Sequence, residues 1–187
     1  VTEFVLASAS PRRREILTLL GYAFDVDVSG FDESSLVHDN PAQRVRELAR
    51  GKALDVSSRR AGLVLGADTV VHLDRMILEK PTGRDDAVRM LEMLSGRIHE
   101  VHTGVSLCRQ GVELGHEVVC TEVVFRKFDR AEIDAYLNTG DYADKAGSYG
   151  IQSPGARLVD RIDGCFYNVA GLPVSATLRL LAIGGLA

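Results

Sequence analysis

The run Val5-Leu6-Ala7-Ser8-Ala9-Ser10-Pro11-Arg12-Arg13-Arg14 constrains this chain more than any other stretch, because an apolar strand passes directly into the start of a helix. Ser10 suits an N-cap, and Pro11 suits the first helical position, where the missing N–H has no intrahelical partner to lose. Ile16, Leu17, Leu19 and Leu20 give the expected helix an apolar side. Gly21, with no Cβ, suits the residue that ends it.

Three arginines in the first turn run against helix electrostatics. The N-terminal end of a helix is partially positive, so an exposed cation there loses roughly 0.3–1 kcal/mol. Free N–H groups, the hydroxyls of Ser8 and Ser10 and several guanidinium groups together make an anion site, for which phosphate is the usual occupant. Helical spacing sets Arg12 over Ile16 and Arg13 over Leu17 on the packed side, and Arg14 over Thr18 towards solvent.

The remaining pattern alternates strands, helices and hairpins. Tyr22 to Ser29 alternates Phe24, Val26 and Val28 with acids, as a half-buried strand does. After an acidic loop containing Asp32 and Glu33, Asn40-Pro41 opens a helix with Val45, Leu48, Ala49, Ala53 and Val56 along its stripe. Lys52 falls within that stripe, either snorkelling to its rim or reaching a buried anion, and Gly51 leaves room for close approach. Leu63 to Leu65, Gly66-Ala67-Asp68-Thr69 and Val70-Val71 follow. If this is a buried strand, Asp68 needs a cation or hydrogen bonds.

Asp74-Arg75 reads as a hairpin turn whose returning strand stops at Glu79-Lys80-Pro81. A helix over Thr82 to Ser95 precedes two long strands, Ile98 to Arg109 and Val112 to Phe128, joined at Gln110-Gly111. Asp129 and Glu132 form a capping pair for a helix lined by Ile133, Tyr136 and Leu137. A loop from Asp141 to Gln152 is rich in small residues. A hairpin follows, from Arg157 to Ile162 and Cys165 to Val169 around Asp163-Gly164, and then a helix after Leu172-Pro173 packed by Val174, Leu178, Leu181 and Ile183. The pattern is that of an α/β protein with a mixed sheet.

With 187 residues, 45% of them hydrophobic, the chain fits a single domain over 1–187. A net charge of −4 argues against a nucleic-acid-coating surface and makes the arginines a local feature. Three scattered cysteines without a C-x-x-C pair fit buried, reduced thiols. No apolar run approaches the roughly 20 residues needed to span a bilayer, and no signal-peptide pattern is present, so a soluble cytoplasmic protein is expected. His99 and His102, three apart in a strand, face opposite sides. His38, His72 and His116 have no ligand-like sequence neighbours, so no histidine metal site is expected.

Arg12, Arg13, Lys52 and Lys80 on one side, and Glu33, Asp68 and Glu79 on the other, fit no purely structural account. Cations alone suit an anion-binding module. Cations mixed with carboxylates suit an enzyme whose carboxylates hold a hard divalent ion against phosphate.

Leu-Ala-Ser-Ala-Ser-Pro-Arg-Arg (6–13), Gly-Ala-Asp-Thr-Val-Val (66–71), Glu-Lys-Pro (79–81), His-Thr-Gly-Val (102–105), Asp-Lys-Ala-Gly-Ser-Tyr-Gly-Ile-Gln (144–152) and Gly-Leu-Pro (171–173) together resemble the Maf nucleotide pyrophosphatases, in order and over nearly the whole chain. The resemblance implies an elongated mixed sheet flanked by helices in two lobes with a central cleft, a fold shared with the inosine triphosphate pyrophosphatases. It implies metal-dependent cleavage of nucleoside triphosphates to monophosphate and pyrophosphate, with Mg2+ or Mn2+. Asp68 matches the family's proton acceptor, although an aspartate near a metal can instead hold the ion and orient water. Glu33, Lys52 and Lys80 match its other active-site charges, and Ser8 and Arg13, with Ser10 beside them, its phosphate-binding segment. The metal role extends to Glu33 and Glu79 as well as Asp68.

Arg12, Thr69 and Gln152, with Lys52, resemble the subgroup that acts on dTTP and UTP. A glutamine amide and arginine donors match the acceptor–donor–acceptor edge of uracil or thymine. The alternatives are a 7-methyl-GTP pyrophosphatase and a nucleotide-binding regulator of septum formation without turnover. A homodimer is implied by the resemblance alone.

Overall fold

The computed structural model describes residues 3–36 and 38–186. In chain order it contains strand β1 (Phe4–Leu6), helix α1 (Pro11–Leu19), β2 (Phe24–Val26), a 3-10 turn (Glu33–Ser35), α2 (Pro41–Ser57), β3 (Leu63–Leu73), β4 (Met76–Leu78), α3 (Arg84–Leu94), β5 (Ile98–Arg109), β6 (Val112–Phe125), α4 (Arg130–Leu137), β7 (Val159–Asp163), α5 (Phe166–Val169) and α6 (Val174–Ile183). The strands form one seven-stranded mixed sheet in the order β2-β1-β3-β5-β6-β7, with β4 also on β3.

Strand β3 is the spine. Along one edge it pairs with β5 from Leu63↔Arg109 to His72↔Glu100. Its other edge is shared. Parallel β1 covers Val64 and Leu65, and antiparallel β4 covers Val71 to Leu73. Between them, residues 66 to 70 have no strand neighbour on that side.

Side chains alternate across the sheet, and the two faces are built differently. On one, α2 lies close against the strands. A Cβ on Gly66 would collide with the Ala49 carbonyl oxygen, and one on Gly104 with that of Val45. On the other, two apolar cores lie along the same strands. One gathers Leu63, Leu65, Ala67, Val105 and Leu107 with α1 and α6 residues such as Ile16, Leu17 and Leu181. The second gathers Val71, Leu73, Val101 and Phe125 with Leu91 and Leu94 of α3 and Ile133 and Leu137 of α4. Thr69 and Thr103, paired in register, separate them.

The helix after Ser10 begins at Pro11 as expected, although the Ser10 side chain makes no capping bond. Asn40 and Asp129 do cap their helices, the latter in a full capping box with Glu132. Several expectations need correction. The strand expected over Tyr22 to Ser29 is only three residues long, because it is the sheet edge and pairs with β1 alone; Val26 and Val28 are exposed. Leu19 also faces solvent. The strand from Val112 ends at Phe125 rather than Phe128. The expected hairpin around Asp163-Gly164 is instead β7 paired with β6, followed by α5. In α6 the packed line is Ala176, Thr177, Leu180 and Leu181, while Leu178 and Ile183 are exposed. No helix among the described residues is long and apolar enough to cross a membrane.

Candidate active site

A cavity of about 500 Å³ opens at the uncovered stretch of β3. Chain geometry explains what lines it. Strand β1 runs parallel to β3 and delivers Ser8 and the start of α1 to the gap, while β4 runs the other way and delivers Glu79 and Lys80. Asp68 and Thr69 sit in the gap and, being adjacent on a strand, face opposite sides of the sheet.

On the α2 side, the closeness set by Gly66 and Gly104 brings Lys52 onto Asp68. Its ammonium lies 2.6 Å from Asp68 Oδ1 and 3.0 Å from Glu33 Oε1. The side chains of Lys52 and Asp68 are 14% and 12% exposed, that of Glu33 55%. Lys52 thus reaches an anion rather than snorkelling. Gly51 serves another contact: a Cβ there would press on the Phe31 ring at 2.6 Å.

On the opposite side, Arg13 is buried and clamps three segments together. Its Nε donates to the Gly171 carbonyl at 2.8 Å, Nη1 to Ser8 Oγ at 3.0 Å and Nη2 to Thr69 Oγ1 at 3.1 Å. Thr69 Oγ1 lies 3.0 Å from Thr103 Oγ1, which donates to the Asn168 carbonyl. Burial lowers the Arg13 guanidinium from its ordinary value, and the charge of Asp68 works against that shift.

Ser8, Ser10, Arg12, Arg13, Glu33, Lys52, Asp68, Thr69, Glu79 and Lys80 all line this one cavity. Glu79 is ion-paired with Arg44. Gln152 departs from the expectation: it is exposed, and the wall beside it is made by Gly150 and Ile151. The carboxylates also do not form the compact ligand set expected of Glu33, Asp68 and Glu79. Among the described residues, the group of three or more possible ligands whose donor atoms all lie within 4.8 Å is His72, Glu100 and His102.

Two lining residues were not singled out from the sequence. Asp144 accepts from Arg12 Nη1 at 2.8 Å and from Lys145 Nζ at 2.9 Å, joining the α1 start to the loop over Asp141 to Gln152. Burial pushes the Asp144 carboxyl up, but the bonds from Lys145 and Arg12 outweigh it and leave the group below its ordinary value. Lys145 is itself buried, against Asp141 and Asp144. The loop is docked by Gly147 N–H on the Glu79 carbonyl at 3.1 Å, with Gly147 in the left-handed region at φ 66°. The signal in the sequence was an acid–lysine pair set among small residues.

The histidine expectation splits. His99 is a core residue, its imidazole pushed down to about 3 by burial and hydrogen-bonded to Tyr149. His72 and His102 do have a ligand-like neighbour, Glu100. Pairing between β3 and β5 brings them together, which spacing along one strand cannot reveal. Of the cysteines, Cys108 is buried but Cys120 is exposed.

The chain is similar to curated proteins named dTTP/UTP pyrophosphatase. That of Vibrio cholerae is 47% identical over 184 residues, covering 97% of each chain. Those of Bacillus pumilus and Thermococcus onnurineus are 42% and 46% identical, covering 100% and 96% of this chain and 98% and 97% of theirs. A solved HAM1 protein from Coxiella burnetii superposes with a TM-score of 0.47 at 16% identity, over 70% of this chain and 76% of that one. The Maf-like protein family profile matches residues 3–183. The chain that carries this cavity therefore belongs to the Maf-like protein family.

Proposed function

We propose that the cavity at the β3 gap hydrolyses dTTP and UTP between the α and β phosphates, releasing the nucleoside monophosphate and pyrophosphate. The observation that carries this reading is the Glu33–Lys52–Asp68 chain of charges facing a cavity that also holds Arg12, Arg13 and Lys80. Phosphoryl oxygens need cations, and an attacking water needs a carboxylate beside it; both kinds of group line one space. The names of the relatives supply the choice of nucleotide.

In this reading Ser8, Ser10, Arg13 and Lys80 receive the triphosphate. Arg13 spends three of its five N–H donors on Gly171, Ser8 and Thr69, which fixes its plane before any anion arrives. Asp68 orients the attacking water and takes its proton, while Lys52 holds the Asp68 carboxylate in place. Arg12, anchored by Asp144, turns donors toward the carbonyl edge of the base.

The donor set of Glu33, Asp68 and Glu79 is carboxylate oxygen throughout, and Glu33 and Asp68 already hold one positive group between them. Glu33 and Asp68, brought together on Lys52, would hold a hard ion, while Glu79, ion-paired with Arg44, stands apart from them. Such an ion, Mg2+ or Mn2+, supplies neutralisation of phosphate charge when bound.

The test is a panel of triphosphates with Mg2+ or Mn2+ and product identification. Pyrophosphate released fastest from dTTP and UTP is the expected result. Orthophosphate as first product, or binding without turnover, overturns it, and a preference for 7-methyl-GTP overturns the choice of base.

A further inference from the structure

The far half of the β3–β5–β6 ladder carries a second convergence of polar side chains, which the phosphate chemistry leaves unused. Register places His72, Glu100 and Glu122 in one row across the three strands, and Val70, His102 and Cys120 in the row two residues away, on the same face. His72 Nδ1 and His102 Nε2 both lie 3.0 Å from the same oxygen, Glu100 Oε2. Cys120 Sγ lies 3.6 Å from His102 Nε2.

These distances suit one ion. A tetrahedral zinc with bonds of about 2.0–2.1 Å holds neighbouring nitrogen and oxygen donors roughly 3.3–3.4 Å apart. Along the two 3.0 Å edges that meet at Glu100 Oε2, the triangle therefore needs only a small opening. The donors stand on paired strands rather than loops, so their spacing is fixed before an ion arrives. A pocket of about 210 Å³ lies beside two of the three donors, His72 and Glu100, with Asp74 and Glu122 also in its wall.

Donor chemistry selects the ion. Two imidazoles and a carboxylate favour borderline Zn2+ over Mg2+ or Mn2+, which prefer oxygen. Asp68 precedes His72 by four residues on the same face, so the two centres are about 13 Å apart along the strand. We propose that His72, Glu100 and His102 form a three-ligand, zinc-type transition-metal site separate from the substrate cavity, with the fourth position open to water. An ion there ties β3 to β5 and stabilises the folded chain in proportion to its occupancy.

The test is calorimetric titration of metal-stripped protein with Zn2+ in excess Mg2+ and without nucleotide, paired with melting curves. One zinc per chain and a raised melting temperature are expected. His72→Ala and His102→Ala should each weaken binding at least tenfold. Glu33→Gln and Asp68→Asn, both in the cavity, should leave it unchanged, which separates this site from the catalytic reading. Should His102→Ala fail to fold, His72→Gln at a partly exposed position makes the same measurement. Cobalt substitution checks the ligand set: no thiolate-to-cobalt charge-transfer band is expected, and a band that disappears in Cys120→Ser would overturn the three-ligand set. No zinc uptake, uptake indifferent to both histidines, or uptake abolished by Glu33→Gln overturns the site.

Discussion

Asp68 and His72 stand on the same face of β3, yet the strand edges beside them differ. At Asp68 one edge is bare, because β1 has already ended and β4 has not yet joined. At His72 both edges are occupied, by Ile77 of β4 and Glu100 of β5. The bare edge leaves a cavity with room for a molecule that carries many charges. Beside the filled one lies a smaller pocket of about 210 Å³ against His72 and Glu100, in keeping with the single ion proposed there. The donors follow the space, with lysines, arginines and carboxylates around the first and imidazoles around the second. The contrast shows how one strand can carry two chemistries, set by which neighbours stop short.

The contrast breaks most easily at Asp68. Asp68→Asn should lower the rate of pyrophosphate release from dTTP about 1,000-fold, roughly 4 kcal/mol, with circular dichroism unchanged. Retention of a tenth of the rate or more would show that the bare edge is not where water is activated. Next comes Lys52→Met, which leaves two carboxylates, one of them nearly buried, without their shared cation. A loss of about 100-fold in kcat/KM and a lower melting temperature are expected, and a variant as active as the parent removes Lys52 from the site.

Gly104→Ala probes the close helix rather than the chemistry. Its methyl group would meet the Val45 carbonyl, and a loss of about 1–3 kcal/mol in urea denaturation is expected; an unchanged midpoint would mean α2 can withdraw freely. The smallest effect belongs to Gln152→Ala. Because that side chain is exposed beyond the cavity wall, the ratio of UTP to CTP turnover should change less than about threefold, under 0.7 kcal/mol. A tenfold change would bring Gln152 back to the base.

Much of this was legible because it was local. The Ser10-Pro11 start of α1, the Asp129–Glu132 capping box, the Asp74-Arg75 turn and the apolar stripe of α2 each depend on residues within a few positions of one another. Asp68 was legible through the oddity of an acid inside an apolar run, and Lys52 through a cation on a packed stripe. Long-range pairing was not legible. Nothing in the spacing of His72, Glu100 and His102 places one imidazole opposite the carboxylate, and nothing near Asp144 announces Arg12, 132 positions earlier. Edge position likewise decided the fate of Val26 and Val28, whose alternation looked like that of a half-buried strand.

The threonine pair that divides the two cores has a consequence for local opening. Thr69, Thr103, Arg13 and the Asn168 carbonyl form a polar seam across this face, while β3 and β5 pass beneath it unbroken. Amide hydrogens along the shared β3–β5 ladder should therefore exchange together and last. The α1–α6 and α3–α4 layers, joined around the seam through Val159, Ile162 and Val169, which pack against both cores, should exchange earlier than the ladder and in step with each other.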